Sequence, residues 1–271
     1  MDNIFIWLFL SWVGVALMMT ALWVFQVIHE DAGIVDAGWA LGIGMAALFL
    51  ASRMETESLR PWVISGATVI WSLRLGSFIF FKRVLGKTED ARYRDLRRAW
   101  ALRANVNFFL FFQMQGILVI VLVIPVLAIL LCPRDEIGYW DIAGCVLILL
   151  SIVGETVADR QLSRWRESTG SKSRVCRDGL WRYSRHPNYF FEWLHWMGYP
   201  IMGLSLLGTR LGWVWPVTWI GPAVVLFFIL KVTGIPPTEE QALKSRGDEY
   251  RRYQRETSAF FPWFPRSERK P

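Results

Sequence analysis

Asn105-Val-Asn-Phe-Phe-Leu-Phe-Phe-Gln-Met-Gln-Gly-Ile-Leu-Val-Ile-Val-Leu-Val-Ile-Pro-Val-Leu-Ala-Ile-Leu-Leu131 contains no Asp, Glu, Lys or Arg. A helix needs about 20 apolar residues to cross about 30 Å of hydrocarbon, so this stretch alone places the protein in a membrane. Composition agrees: 54% of the 271 residues are hydrophobic, 16 are Trp, and mean hydropathy is +0.31. Working outward, windows nearly free of charge occur at 4–27, 35–52, 61–81, 105–131, 139–158, 188–207 and 211–233. The expected fold is an all-α integral membrane protein of about seven transmembrane helices. Two windows leave the count between six and eight, since 35–52 is short and 188–207 carries Glu192 and His195.

Orientation follows from Lys and Arg in the short loops. Residues 82–103 hold Lys82, Arg83, Lys87, Arg92, Arg94, Arg97, Arg98 and Arg103, and residues 159–185 hold Arg160, Arg164, Arg166, Lys172, Arg174, Arg177, Arg182 and Arg185. Both segments are expected in the cytoplasm, with the N-terminus outside and the C-terminus inside. The N-terminal run lacks a basic leader and a small-residue cleavage site, so it reads as a retained helix. The net charge of +7 then faces anionic lipid and an anionic ligand rather than nucleic acid. Cys132, Cys145 and Cys176 form no CxxC pair, which argues against a disulfide framework or a zinc site.

No separate soluble domain, repeat or low-complexity stretch interrupts residues 1–271, which read as one membrane domain. Chemistry must therefore come from helix ends, basic segments and polar residues inside spans. An ionisable group in hydrocarbon costs roughly 2.5–3.5 kcal/mol unless it meets a partner or cavity. Glu155, Asp159, Leu162 and Arg166 fall on one helical stripe, and Asn188, Glu192 and His195 on another, with Pro187 suited to the first turn of its helix. An Asn and a Glu preceded by Arg182, Arg185 and His186 suit a ligand with phosphates and an amide or base edge; polar glue between helices is the competing reading. His29, Glu30, Asp31 and Asp36 cluster before Trp39, and Arg74 interrupts the third span, either snorkelling or pairing with an acid. Gly42-Ile-Gly44-Met-Ala-Ala47 mimics a dinucleotide fingerprint, but it lies inside a span with no preceding strand, so it reads as a close-packing face.

Several pieces occur in a distinctive order: Asp36-Ala-Gly-Trp39, Trp71-Ser-Leu-Arg-Leu-Gly76, Glu89-Asp-Ala-Arg-Tyr93, Gly179-Leu-Trp-Arg-Tyr-Ser-Arg-His-Pro-Asn-Tyr189 with Glu192, Thr233-Gly-Ile-Pro236 with Glu239 and Glu240, and Tyr250-Arg-Arg-Tyr253 running into Thr257-Ser-Ala-Phe-Phe-Pro262. In these the chain resembles the steroid 5α-reductase-like membrane proteins, in particular the DUF1295 family; sterol reductases and isoprenylcysteine methyltransferases look like distant relatives.

The resemblance implies a membrane oxidoreductase that transfers hydride from NADPH to a carbon–carbon double bond conjugated to a carbonyl. Residues 1–131 would serve the substrate and 132–271 the cofactor. Carried onto this chain, cofactor binding falls on Glu155, Asp159, Arg166, Asn188 and Glu192, joined by Glu89, Asp90, Arg92, Tyr93, Arg174, Arg182, Tyr183, Arg185, His186, Tyr189, Glu240, Tyr250 and Tyr253. Glu155 replaces an Asn of the animal enzymes. Those enzymes activate the ketone with a Glu on the second helix and a Tyr on the third, whereas this chain has no Tyr before Tyr93. Asp36 and Arg74 are the expected catalytic stand-ins, polarising the carbonyl as charge develops. No metal is expected. The partners would be a lipophilic small molecule entering from the bilayer and membrane lipid, and the location the inner (plasma) membrane if the source is bacterial. The alternative is an S-adenosylmethionine-dependent membrane methyltransferase, because Arg185-His-Pro-Asn-Tyr189, Glu239-Glu240, Tyr250 and Tyr253 recur there; a non-enzymatic lipid or helix holder is third. The tail Thr257-Ser-Ala-Phe-Phe-Pro-Trp-Phe-Pro265 reads as an interfacial cap.

Overall fold

Long uncharged runs leave the backbone no hydrogen-bond partner in lipid except itself, so they form helices. The computed structural model describes residues 3–169 and 174–266. Its helices are α1 (Ile4–His29), α2 (Ile34–Ala51), α3 (Arg60–Ile79), α4 (Ala91–Trp100), α5 (Ala104–Leu130), α6 (Tyr139–Thr169), α7 (Pro187–Gly203), α8 (Ile220–Phe227) and α9 (Ile235–Glu256). A π-helical turn, Phe80–Val84, extends α3; a 3-10 stretch, Gly212–Trp219, leads into α8, and a second π-turn, Phe228–Val232, follows it. The described residues contain no named strand, only a bridge between Ser184 and Ser258.

Among the described residues six stretches are long and apolar enough to cross a membrane, beginning with Ile4–His29, Ile34–Ala51 and Arg60–Val84. The other three lie in Ala91–Leu130, Tyr139–Ser168 and Gly212–Glu256. The expected span at 188–207 is α7, which has 17 residues and Pro200 inside it. At 1.5 Å per residue it reaches about 25 Å, short of the hydrocarbon thickness. Pro187 does occupy its first turn, where a missing N–H costs nothing.

The chain folds as two compact units: Met1–Ile142 with Tyr199–Ile220, and Ala143–Gly198 with Gly221–Pro271. In the first, α2 is the central helix, two-thirds of its span buried against 17% for α1. Small residues let its neighbours approach. A Cβ on Gly44 would stand 2.4 Å from Ser72 Oγ, and one on Gly42 would stand 3.1 Å from Met18 Cε and 3.4 Å from Val119 Cγ2. The would-be nucleotide fingerprint is thus a packing face. Ser72 and Ser65 donate across to the carbonyls of Ala40 (2.8 Å) and Ala47 (3.1 Å). At the end of this unit where α3 begins, Arg60 is sealed in: Nε and NH2 reach both carboxylate oxygens of Asp141 at 2.9 Å, NH1 the Ile129 carbonyl and NH2 also Ser205 Oγ.

In the second unit, α6 and α7 meet closely, since a Cβ on Gly154 would overlap the Phe191 ring at 2.3 Å and one on Gly198 would stand 2.6 Å from Ile148. Tyr250 and Tyr253 of α9 form a small core with Ala242, bordered by Val175 and Leu243. The C-terminal segment is strapped down: Arg185 N donates to Ser258 O (2.8 Å), Trp263 N to Tyr183 O (2.9 Å), and Ser184 Oγ to Phe260 O (2.8 Å).

Candidate functional site

Chemistry-bearing residues gather in two places, one in each unit. In the first, the basic segment after α3 folds over the turn between α1 and α2. Asp90 caps α4 by accepting from Arg92 N at 2.9 Å, and the helix then presents Arg92, Tyr93 and Arg97. Tyr93, buried at 3% exposure, donates its hydroxyl to Asp36 Oδ1 at 2.8 Å. Arg92 reaches Asp36 Oδ2 at 3.3 Å and Asp90 Oδ1 at 3.2 Å. Glu89 accepts from Ala32 N at 2.9 Å, just ahead of α2, and is clasped by Arg97 at 2.7 and 3.2 Å. Arg97 also reaches Gln26 Oε1 (3.1 Å) and lies over the Phe108 ring.

Burial pushes the Asp31 carboxyl up, helped by the Glu89 charge and opposed by the Gly33 amide and Arg97. At Asp90 burial also acts upward, but the Arg92 amide and charge outweigh it and hold the carboxyl below its usual value.

Four of the expected residues, Asp36, Asp90, Arg92 and Tyr93, therefore form one hydrogen-bonded set, with Glu89 bracing the same turn. Arg74 lies on α3 with its guanidinium 5.3 Å from the ring of Phe78, one turn along the same helix. The Asp36–Tyr93 pairing, across 57 residues, was not legible from spacing.

In the second unit the two polar stripes meet as their helical spacing implies. Asn188 Nδ2 donates to Asp159 Oδ1 at 3.4 Å. Glu155 and Asp159 are buried, and Glu192 accepts from Trp196 Nε1 at 3.0 Å. Gln161, on the same helix, accepts from Leu180 N at 2.9 Å. Gly179 sits there at φ 56°, where a Cβ would stand 2.2 Å from Gln161 Nε2, so only glycine fits. Arg166, Arg174 and Arg182 are exposed, and Arg174 and Arg182 make no ion pair among the described residues. Lys172 lies outside the described residues.

Arg185 and His186 turn instead to Glu239. Arg185 Nε is 2.7 Å and His186 Nε2 3.2 Å from Glu239 Oε1, while Gln254 Nε2 donates to Oε2 at 2.7 Å. Arg185 NH1 also donates to the carbonyls of Gln254 and Thr257. Burial acts to raise the Glu239 carboxyl, but the bonds from His186 and Arg185, the Arg185 charge and Gln254 hold it down at about 2. Burial lowers His186 despite its bond to Glu239. The Tyr250 hydroxyl is pushed up by burial and then by the Glu239 charge. Tyr189 stacks on His186 at 5.4 Å and meets Thr238 Oγ1 at 3.2 Å; Tyr253 donates to the Trp181 and Ser184 carbonyls; the Tyr183 ring meets Phe264 edge-on.

Of the two adjacent glutamates, Glu240 pairs with Lys244 at the surface, whereas Glu239 is the more covered one, its side chain 15% exposed. Its spacing of three from buried Ala242 places it on the inward face of α9, a signal that was available. Arg177, a second residue not singled out, bonds Glu256, lies over the Tyr253 ring and keeps one buried NH2 nitrogen without a partner among the described residues. No group of three or more His, Cys, Asp or Glu able to hold a metal occurs among the described residues.

Residues 22–257 match the family described as "Protein of unknown function (DUF1295)". An uncharacterized protein of Schizosaccharomyces pombe is 24% identical over 267 residues, covering 89% of this chain and 75% of that protein. No solved structure matches the chain.

Proposed function

The chain belongs to the DUF1295 family, and we propose that it is an NADPH-dependent membrane reductase acting on the carbon–carbon double bond of a lipophilic enone. The observation that supports this reading is the Tyr93–Asp36 bond, with Arg92 on the second oxygen of the same carboxylate. A buried hydroxyl beside a carboxylate whose charge is already balanced can turn its proton to another acceptor. In the proposed mechanism Tyr93 moves its O–H from Asp36 to the substrate carbonyl oxygen as negative charge develops there, and Arg92 keeps Asp36 neutralised meanwhile. NADPH, when bound, supplies the hydride, which goes to the β-carbon; a proton from water completes the α-carbon. In this reading Tyr93, expected among the cofactor-binding residues, takes the part for which Arg74 was the expected stand-in, and Arg74 becomes a flanking cation on α3.

The second unit has groups that fit the cofactor. The carboxylates of Glu155, Asp159 and Glu192 offer acceptors to a carboxamide N–H, and the Asn188 amide offers both donor and acceptor. Arg166, Arg174 and Arg182, with the unpartnered nitrogen of Arg177, suit phosphate oxygens. In this reading Arg185 and His186 position the C-terminal strap rather than touch the cofactor. Protein purified in detergent is expected to carry a species absorbing near 340 nm, identified as NADPH by mass spectrometry and lost on Asn188→Ala or Glu192→Ala. Nucleotide-free protein that binds S-adenosylmethionine would overturn the reductase and favour the methyltransferase, whose shared residues Arg185, His186, Glu239 and Tyr250 are clustered here.

A further inference from the structure

At the end of the first unit opposite the Asp36–Tyr93 pair, a cleft of about 370 Å³ lies between the start of α1, the turn after α2, the start of α3 and the end of α5. That is within the size range of ligand sites. Its depth in the membrane is marked by aromatic side chains at the first turns of neighbouring elements. Trp62 is 48% exposed, Tyr139 74% and Trp213 77%, and such residues settle at the headgroup level. The cleft therefore opens where headgroups lie.

Its lining has two characters. Trp7, Pro61, Leu130 and Leu131 give an apolar wall, while Arg53, Arg134 and Glu55 bring charge to the rim. Arg60 also lines it, but its charge is matched by Asp141 and its other bonds go to Ile129 and Ser205. Arg53 and Arg134, by contrast, are exposed and make no ion pair among the described residues, and the same holds for Glu55. Asp135 is tied to Thr56. Two guanidiniums outside any ion pair among the described residues, Arg53's lying 5.0 Å from the Phe49 ring, the carboxylates of Glu55 and Asp135, the latter bonded only to a neutral hydroxyl, and an adjoining apolar wall describe the complement of one kind of molecule. Its phosphate bears a negative charge, its ammonium a positive one with N–H donors, and methylenes follow.

We propose that this cleft holds the headgroup of a zwitterionic aminophospholipid, the phosphate on Arg53 and Arg134, the ammonium on Glu55, and the first acyl carbons against Trp7, Leu130 and Leu131. Lipid is the source because the site opens at headgroup depth beside an apolar wall, which a water-soluble phosphoamine would leave unused. None of these residues takes part in the reductase chemistry proposed above, so the site stands or falls independently of it.

The test is native mass spectrometry of full-length protein in mild detergent, titrated with equal amounts of phosphatidylethanolamine, phosphatidylglycerol and phosphatidylcholine. Phosphatidylethanolamine adducts should exceed the others by about fivefold. Arg53→Gln with Arg134→Gln should remove the adducts of all three lipids. Glu55→Leu should keep adducts but equalise phosphatidylethanolamine and phosphatidylcholine, whose quaternary ammonium has no N–H to donate; Glu57→Leu, outside the lining, should change nothing. Adduct patterns unchanged in both rim variants would overturn the proposal, as would full displacement of lipid by soluble phosphoethanolamine, which would assign the cleft to a free phosphoamine. If the double arginine variant does not purify, Glu55→Leu decides alone: a retained ethanolamine preference overturns the assignment.

Discussion

Two of the arginine–aspartate pairs in the first unit, Arg60 with Asp141 and Arg92 with Asp36, stand at opposite ends and differ in burial, geometry and partners. Arg60 and Asp141 meet through two 2.9 Å bonds, with side chains 2% and 1% exposed and the remaining guanidinium bonds filled by Ile129 and Ser205. Arg92 and Asp36 meet through one 3.3 Å contact, 42% and 29% exposed, and Asp36 shares its other oxygen with a tyrosine hydroxyl. The first pair has bonds from all three guanidinium nitrogens and to both carboxylate oxygens and is closed to solvent, so it serves to hold α3 to α6. The second shares its carboxylate with the Tyr93 hydroxyl and is open to solvent. If the proposed mechanism holds, it is solvent access and a shared carboxylate that separate the chemical pair from the structural one, and charge type and membrane position do not.

That contrast is most easily broken at Arg60. Arg60→Ala would leave Asp141 buried without its counter-charge, and such a loss costs about 3–5 kcal/mol; the expected result is a large fall in the unfolding midpoint in detergent. Arg60→Leu combined with Asp141→Leu should recover much of it, because an apolar replacement of both partners removes the desolvation cost. If Arg60→Ala instead left stability intact and abolished turnover, the sealed pair would have a chemical role and the comparison would fail.

At the other pair the order of effects should reverse. Tyr93→Phe is expected to lower turnover of an enone by about 10²–10³-fold, the usual loss of one carbonyl-oxygen donor, while shifting stability by only about 1 kcal/mol, the worth of one hydrogen bond. An NADPH-oxidation assay over a panel of lipid enones, beside thermal unfolding of the same preparations, reads both. Turnover that survives Tyr93→Phe and disappears in Arg74→Leu would return the electrophilic role to Arg74.

How far the sequence revealed these features depended on distance along the chain. Helical spans, the inward stripes of α6 and α7 and the packing role of Gly42 and Gly44 are all local: their signal is periodicity within one helix, and the structure keeps it. Pairings across 57 residues (Asp36 with Tyr93) or 81 residues (Arg60 with Asp141) depend on which helix ends meet, and no spacing rule states that. Charges at span ends normally mark the boundary with water, so nothing in the sequence sets Arg60 and Asp141 apart. The expected span at 188–207 ended early because Pro200 and the 3-10 turn Leu204–Leu206 interrupt a run whose hydropathy alone continues.

The second unit offers an intermediate case that sharpens the contrast by pH. Glu239 is held at about 2 in the fold, against 4.5 for the free group, and His186 lies below its free value of 6.5. Both groups bind fewer protons folded than unfolded, so stability rises with pH across both windows. Acidification should weaken the protein first below about 6.5, through His186, and then from 4.5 towards 2, through Glu239. Glu239→Gln should flatten the lower limb of the pH profile of the unfolding midpoint. A lower limb as steep as in the wild type would mean that the Arg185 clamp does not depend on the Glu239 charge.

The smallest effect belongs to Glu240, one residue further on. It pairs with Lys244 at 2.6 Å, but both side chains stand about two-thirds or more in solvent, at 67% and 73% exposure. An exposed pair in high dielectric is screened by water and salt. Glu240→Ala should therefore leave the unfolding midpoint, its pH profile and the retained cofactor as they are in the wild type, beside the marked changes expected of Glu239→Gln. Loss of cofactor from the Glu240 variant alone would reverse this ranking of the two neighbours: it would show that the solvent-facing carboxylate contacts the ligand and that burial on α9 is a poor guide to which acid does the chemistry.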